Sequence, residues 1–165
     1  MLSFLPIRKC CLSALVVASV SACTFAPITS LPPGTTQQEV LSRYGKPDAI
    51  VALPGGNRMQ YSLLPAGQTA VMVDLNAEGK VVAARQVLNI NDFARVVPGQ
   101  WTRRDTLREF GRPSSVERVA NWAGDILVYR WLNVFDPMLF HVYLDANQVV
   151  QQTGTGMEYL REPWD

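Results

Sequence analysis

The chain is poor in the residues from which most enzymatic and metal sites are built. Its 165 residues include one histidine, His141, and three cysteines, Cys10, Cys11 and Cys23. No zinc-type spacing, histidine and carboxylate metal motif, phosphate-cradling glycine loop or nucleophile elbow occurs. The sequence therefore calls for no cofactor, no metal and no catalytic residue. Charge of one sign is lacking too: 15 basic residues face 14 acidic ones, without the basic field that nucleic acid recognition demands. Long apolar runs are also missing. The stretch from Cys10 to Val20 falls well short of the roughly 20 apolar residues that a membrane-spanning helix needs.

That short run has a different meaning at the start of the chain. Arg8 and Lys9 precede it, and the small residues Ser21 and Ala22 follow it directly before Cys23, the order of regions in a secretory signal peptide covering residues 1–22. Val20-Ser21-Ala22-Cys23 resembles the bacterial lipobox, which implies cleavage before Cys23 and acylation, including palmitate, at that residue. The plainer reading is cleavage after Ala22 with an ordinary thiol. Either way Cys10 and Cys11 leave with the signal, so no internal disulfide is expected. Thr24, standing where an aspartate would retain a lipoprotein at the inner membrane, resembles the pattern of those sent to the outer membrane. Residues 23–33 then read as an extended, proline-containing tether.

Self-comparison reveals two copies of one unit. Pro33-Gly34-Thr35-Thr36 through Tyr44-Gly45-Lys46-Pro47 returns, with one residue inserted, as Pro98-Gly99-Gln100-Trp101-Thr102 through Phe110-Gly111-Arg112-Pro113. Tyr61 matches Tyr129, and Val73 to Val82 matches Val142 to Val150. The units are placed at 34–92 and 93–155, with 156–165 as a C-terminal tail. Each opens with a capping box, Thr36 with Glu39 and Thr102 with Asp105. Helix-spaced apolar residues follow, Val40, Leu41 and Tyr44 in one copy, Leu107 and Phe110 in the other. Gly45 and Gly111 supply the stop and Pro47 and Pro113 forbid continuation. The rest of each unit reads as four strands. They are 50–53, 58–64, 69–75 and 80–87, then 115–120, 125–133, 139–144 and 148–152, divided by turn residues that include Asp136-Pro137. The expected fold class is α+β: two tandem units, each a short helix on a roughly four-stranded antiparallel sheet.

Gly34-Thr35-Thr36, Tyr44-Gly45-Lys46-Pro47 and the turn at Asn76 to Val82 resemble the SmpA/OmlA (BamE-like) family of outer-membrane lipoproteins. The second copy keeps Gly99, Leu107, Phe110-Gly111-Arg112-Pro113 and Asp145 to Val150. Members usually carry one unit with two helices, and the tandem arrangement is similar to that of secreted β-lactamase inhibitor proteins, whose joined sheets form a concave binding surface. The first resemblance implies a periplasm-facing, non-catalytic protein held on the outer membrane by its lipid. Its partners would be envelope proteins, the outer-membrane barrel-assembly machinery among them. The second implies an inhibitor-like or ligand-binding module.

Three groups of residues stand out as candidate surfaces. Strand alternation puts His141 and Tyr143 on the face opposite Phe140, Val142 and Leu144, with Arg130 on a neighbouring strand; they are either a binding patch or the ordinary polar face of an antiparallel sheet. Arg104 and Arg108 share a helix face, with Arg112 just beyond, and either touch membrane phosphates or form a solvated face partly neutralised by Asp105 and Glu109. Glu109 and Glu117 have no visible catalytic partner and read as solvated surface. Gly154-Thr155-Gly156 reads as a bend, and Trp122 as a turn aromatic.

Overall fold

The computed structural model describes residues 26–159. The expected signal peptide, Cys23, Thr24 and Trp164, the tail residue the sequence offers for docking, lie outside them.

The first unit begins with α1 (Gln37–Tyr44), followed by β1 (Ala49–Leu53), β2 (Gly56–Ser62), β3 (Ala70–Asn76) and β4 (Val81–Gln86). The second has α3 (Arg103–Phe110), then β5 (Ser115–Glu117), β6 (Ile126–Asn133), β7 (Asp136–Leu144) and β8 (Val150–Met157). A four-residue helix, α2 (Ile90–Phe93), joins them. Each set of strands forms its own antiparallel sheet in simple meander order, β1-β2-β3-β4 and β5-β6-β7-β8. This is the expected α+β architecture in two tandem units.

The repeat is reproduced in the hydrogen bonds. Both capping boxes are complete, each contributing about 1 kcal/mol to a helix too short to persist alone. Tyr61 Oη donates to the Gly45 carbonyl and Tyr129 Oη to the Gly111 carbonyl, both at 3.0 Å, so matching tyrosines hold matching helix ends. The helix N-termini are tied to matching hairpins by Gln37 N to Gly79 O (2.9 Å) and Arg103 N to Gln148 O (2.8 Å). Register shifts fall at Asp74/Leu75 and at Tyr143/Leu144, again matching positions. Gly79 and Gln148 match as well, and both have positive φ, +72° and +63°.

The units are stacked, not side by side. On β3, Val71, Val73 and Leu75 face α1 and form one core with Val40, Met59, Val81 and Leu31. The alternate residues Ala70 and Met72 face the other way, into a second core with Phe93, Phe110, Leu127, Tyr129, Phe140 and Val142. Alternation along a strand makes this possible: sheet one buries both faces, one under its own helix and one under α3. The layer order is α1, first sheet, α3, second sheet. Phe110 is the hinge of this packing, fully buried and in aromatic contact with Phe93, Trp101, Tyr129 and Phe140.

Several local expectations are corrected. The segment read as a tether is docked: a 3-10 turn covers Ile28–Ser30, Leu31 is buried in the first core, and Tyr44 Oη donates to the Ala26 carbonyl. Asp136-Pro137 belongs to β7; the turn is at Val134 and Phe135, where Val134 takes the positive φ (57°). Gly154-Thr155-Gly156 is not a bend but the C-terminal half of β8, where Gly154 pairs with His141 and Gly156 with Leu139. The ladder to β7 overrides the weak strand preference of glycine. The tail placed at 156–165 starts inside that strand, and Glu158 is held by Arg130.

Candidate functional site

The stacking buries a charged network between the units. Arg58, on β2, is 5% exposed. Its Nε and Nη2 donate to Asp74 at 2.6 and 2.9 Å, and its Nη1 to Glu109 at 3.0 Å and to the Arg108 carbonyl at 3.1 Å. Beside it, Gln60 Nε2 donates to the Leu107 and Arg108 carbonyls, satisfying the last turn of α3. Arg85 and Arg95 reach Asp92 and approach Glu109. Burial opposes ionisation of Glu109, but hydrogen bonds from Arg58 and Arg108 prevail and hold its carboxyl below the usual range. Glu109, expected on a solvated surface, is thus a buried anion that ties α3 to the first sheet. Each carboxylate of the network, Asp74, Asp92 and Glu109, faces at least one permanently charged guanidinium.

On the flank of that junction an open groove of about 960 Å³ runs between β1 and α3. Ala49 and Val51 form one wall; Arg104, Leu107, Arg108 and Arg112 form the other. The sequence builds both walls simply. β1 is an edge strand, paired only with β2, and Ala49 and Val51 stand opposite Gln60 and Arg58, hence on the side of the sheet that α3 covers. On α3 the arginines four apart share one flank.

The arginines differ in what they already hold. Arg108 donates to Asp105 (2.7 Å) and Glu109 (3.1 Å); burial pulls against its charge, but these contacts raise its pKa overall. Arg104 and Arg112 are exposed and make no ion pair or hydrogen bond among the described residues. The three residues singled out in the sequence are therefore brought to one groove, with the partial neutralisation by Asp105 and Glu109 confined to Arg108. What sequence reasoning missed is the apolar wall. Nothing local to Ala49 and Val51 signals that a helix more than 50 positions away lies beside them.

The other expected patch is divided. His141 and Tyr143 lie on the outer face of the second sheet, half-buried, with Trp122 edge-to-face on Tyr143 at 5.4 Å and its Nε1 donating to the Leu144 carbonyl at 2.7 Å. Arg130 is committed elsewhere. It donates to Glu158 (2.5 Å) and to the Pro65 and Ala66 carbonyls (2.7 and 3.1 Å), pinning the loop after β2 to the second unit. The arrangement expected from joined sheets is absent as well. Among the described residues the two sheets share no strand pairing, and on the outer face of the second, His141 and Tyr143 are half-buried beside the buried Val128 and Ile126.

Among the described residues no cluster of three or more histidine, cysteine or acidic side chains is disposed to hold a metal, and no helix is long and apolar enough to cross a membrane. Fold and groove together define a class: an α+β protein of two stacked helix-on-sheet units with a basic, apolar-walled groove at their junction. No family model matches the chain, and no curated protein does. A solved structure of a DUF4309 family protein (YjgB) from Bacillus subtilis subsp. subtilis str. 168 is similar at 14% identity over 74% of this chain and 78% of that one. Its TM-score of 0.32 is too low to bear on fold or function.

Proposed function

We propose that the chain is a non-catalytic lipoprotein of the bacterial envelope, held on the outer membrane through Cys23, facing the periplasm, and binding protein partners along the groove between its units. It acts as a SmpA/OmlA-like scaffold in assembly or upkeep of outer-membrane proteins. The observation that carries the binding part is the pairing of two uncompensated arginines, Arg104 and Arg112, with an exposed apolar edge strand across an open groove. Such a surface suits a polypeptide better than a small reactive substrate, since it offers charge and backbone groups along a line, and the Thr102 hydroxyl that lines it is already committed to Asp105 in the helix cap. The envelope part is supported by the signal and lipobox residues in the sequence.

The test is crosslinking of the full-length protein in intact Gram-negative cells, with captured partners identified by mass spectrometry and a Cys23→Ala control. Capture of barrel-assembly components by the lipidated form alone, with altered envelope permeability on deletion, is the expected result. Unchanged permeability and barrel-protein levels overturn the assembly role. A second reading, an inhibitor-like or ligand-binding module, is favoured by the outer face of the second sheet, where His141 and Tyr143 adjoin the side-chain-free Gly154 and Gly156. Recovery of one soluble enzyme or of a peptidoglycan fragment by the purified protein selects it.

A further inference from the structure

Resting on the protein-binding reading, we infer that β1 receives an extended acidic segment of a partner as a fifth strand of the first sheet. The backbone of β1 is paired on one side only, and its sequence, Ala-Ile-Val-Ala-Leu, is free of the charges and prolines that ordinarily protect an edge. Ile50 is 54% exposed. In an added strand alternate side chains point to the same face, and on the α3 side they enter the groove. Small groups, Ala49 and Gly111, leave room there. Arg104 and Arg112 supply cations with no internal partner, and Arg108 a third whose charge is already half satisfied. Carboxylates at every second position of the incoming strand fit this pattern. Five paired residues span about 17 Å.

The matching edge in the second unit shows why β1 is selected. β5 is only Ser115–Glu117, carries a glutamate, and does not line that groove. A stack of helix on sheet on helix on sheet has one junction, and β1 is the edge that opens into it.

The probe is a seven-residue peptide alternating valine and glutamate, blocked at both ends and titrated into the full-length protein in detergent. Isothermal calorimetry reads affinity, and amide exchange reads protection at residues 49–53. Binding with protection of those amides is expected. So is a loss of about tenfold in affinity for Arg104→Glu with Arg112→Glu, and a comparable loss when a central valine of the peptide becomes proline, which removes a backbone donor. Equal binding of the proline peptide, displacement by inorganic phosphate at millimolar concentration, or binding to anionic vesicles in its place makes the groove an anion or lipid-headgroup site and overturns the strand-addition inference. Capture of partners in cells that survives Arg104→Glu with Arg112→Glu overturns it too, while leaving the scaffold reading intact.

Discussion

Replacing Arg58 by methionine tests the buried junction most directly. The guanidinium makes four hydrogen bonds, two to Asp74, one to Glu109 and one to the Arg108 carbonyl. Removing one partner of a buried ion pair ordinarily costs about 3–5 kcal/mol because the other charge is left uncompensated. The lower end applies here. Glu109 keeps Arg108 at 3.1 Å and Arg95 at 3.6 Å, and the Asp74 side chain, 19% exposed, retains some water. A loss of about 3 kcal/mol corresponds to a fall of about 10 °C in Tm for a domain of this size. Urea unfolding followed by tryptophan fluorescence should show a lower midpoint at unchanged slope. It should remain a single transition, since the core around Phe110 belongs to both units. Arg58→Met with Asp74→Leu should recover most of the loss, because a pair replaced by apolar groups leaves no orphaned charge. A loss below about 1 kcal/mol in the single variant, or no recovery in the double, would refute the account of the junction.

Four further outcomes follow from the same contacts. Glu109 and Asp92 have folded pKa values below their ordinary ones, burial being outweighed at Glu109 by hydrogen bonds from Arg58 and Arg108 and at Asp92 by those from Asn89, Arg85 and Arg95; their contribution is complete above the unfolded value of about 4 and is lost as pH falls from there through the folded values, so urea midpoints should hold from neutral pH to about pH 5 and drop below it, less steeply in Arg58→Met. Tyr129→Phe removes a buried donor to the Gly111 carbonyl and should lower stability by about 1–2 kcal/mol, against a few tenths for Tyr61→Phe at its more accessible counterpart, both read by denaturant titration. Trp131 is 4% exposed and its Nε1 has no partner among the described residues; Trp131→Phe should therefore cost under about 1.5 kcal/mol despite the lost volume, and a larger loss in calorimetry would show that the indole nitrogen is satisfied in solution. Val134→Gly relieves a β-branched residue at φ 57° that is 74% exposed and should raise Tm by the equivalent of about 1 kcal/mol.

What the sequence by itself determined is local in origin. Thr36 and Thr102 with their acidic partners start helices, Gly45 and Gly111 end them, and Asn76 to Gly79 turns a hairpin, because each of these needs only a few neighbouring residues. Repetition of those signals announced two like units and hence the α+β class. The errors were also local: Asp136-Pro137 and Gly154-Thr155-Gly156 look like turns until cross-strand pairing with β6 and β7 overrides them. The tertiary structure alone decided how the units meet. Glu109 reads as an ordinary surface charge until α3 is laid on the first sheet and Arg58, 51 positions away, meets it, and Arg130 reads as part of a patch with His141 and Tyr143 until the Pro65 and Ala66 carbonyls arrive beside it. The groove follows the same rule. Its arginines were visible as a spacing on one helix, but the edge strand facing them was not, because a strand's pattern reports which faces are buried and says nothing about what lies across its open edge.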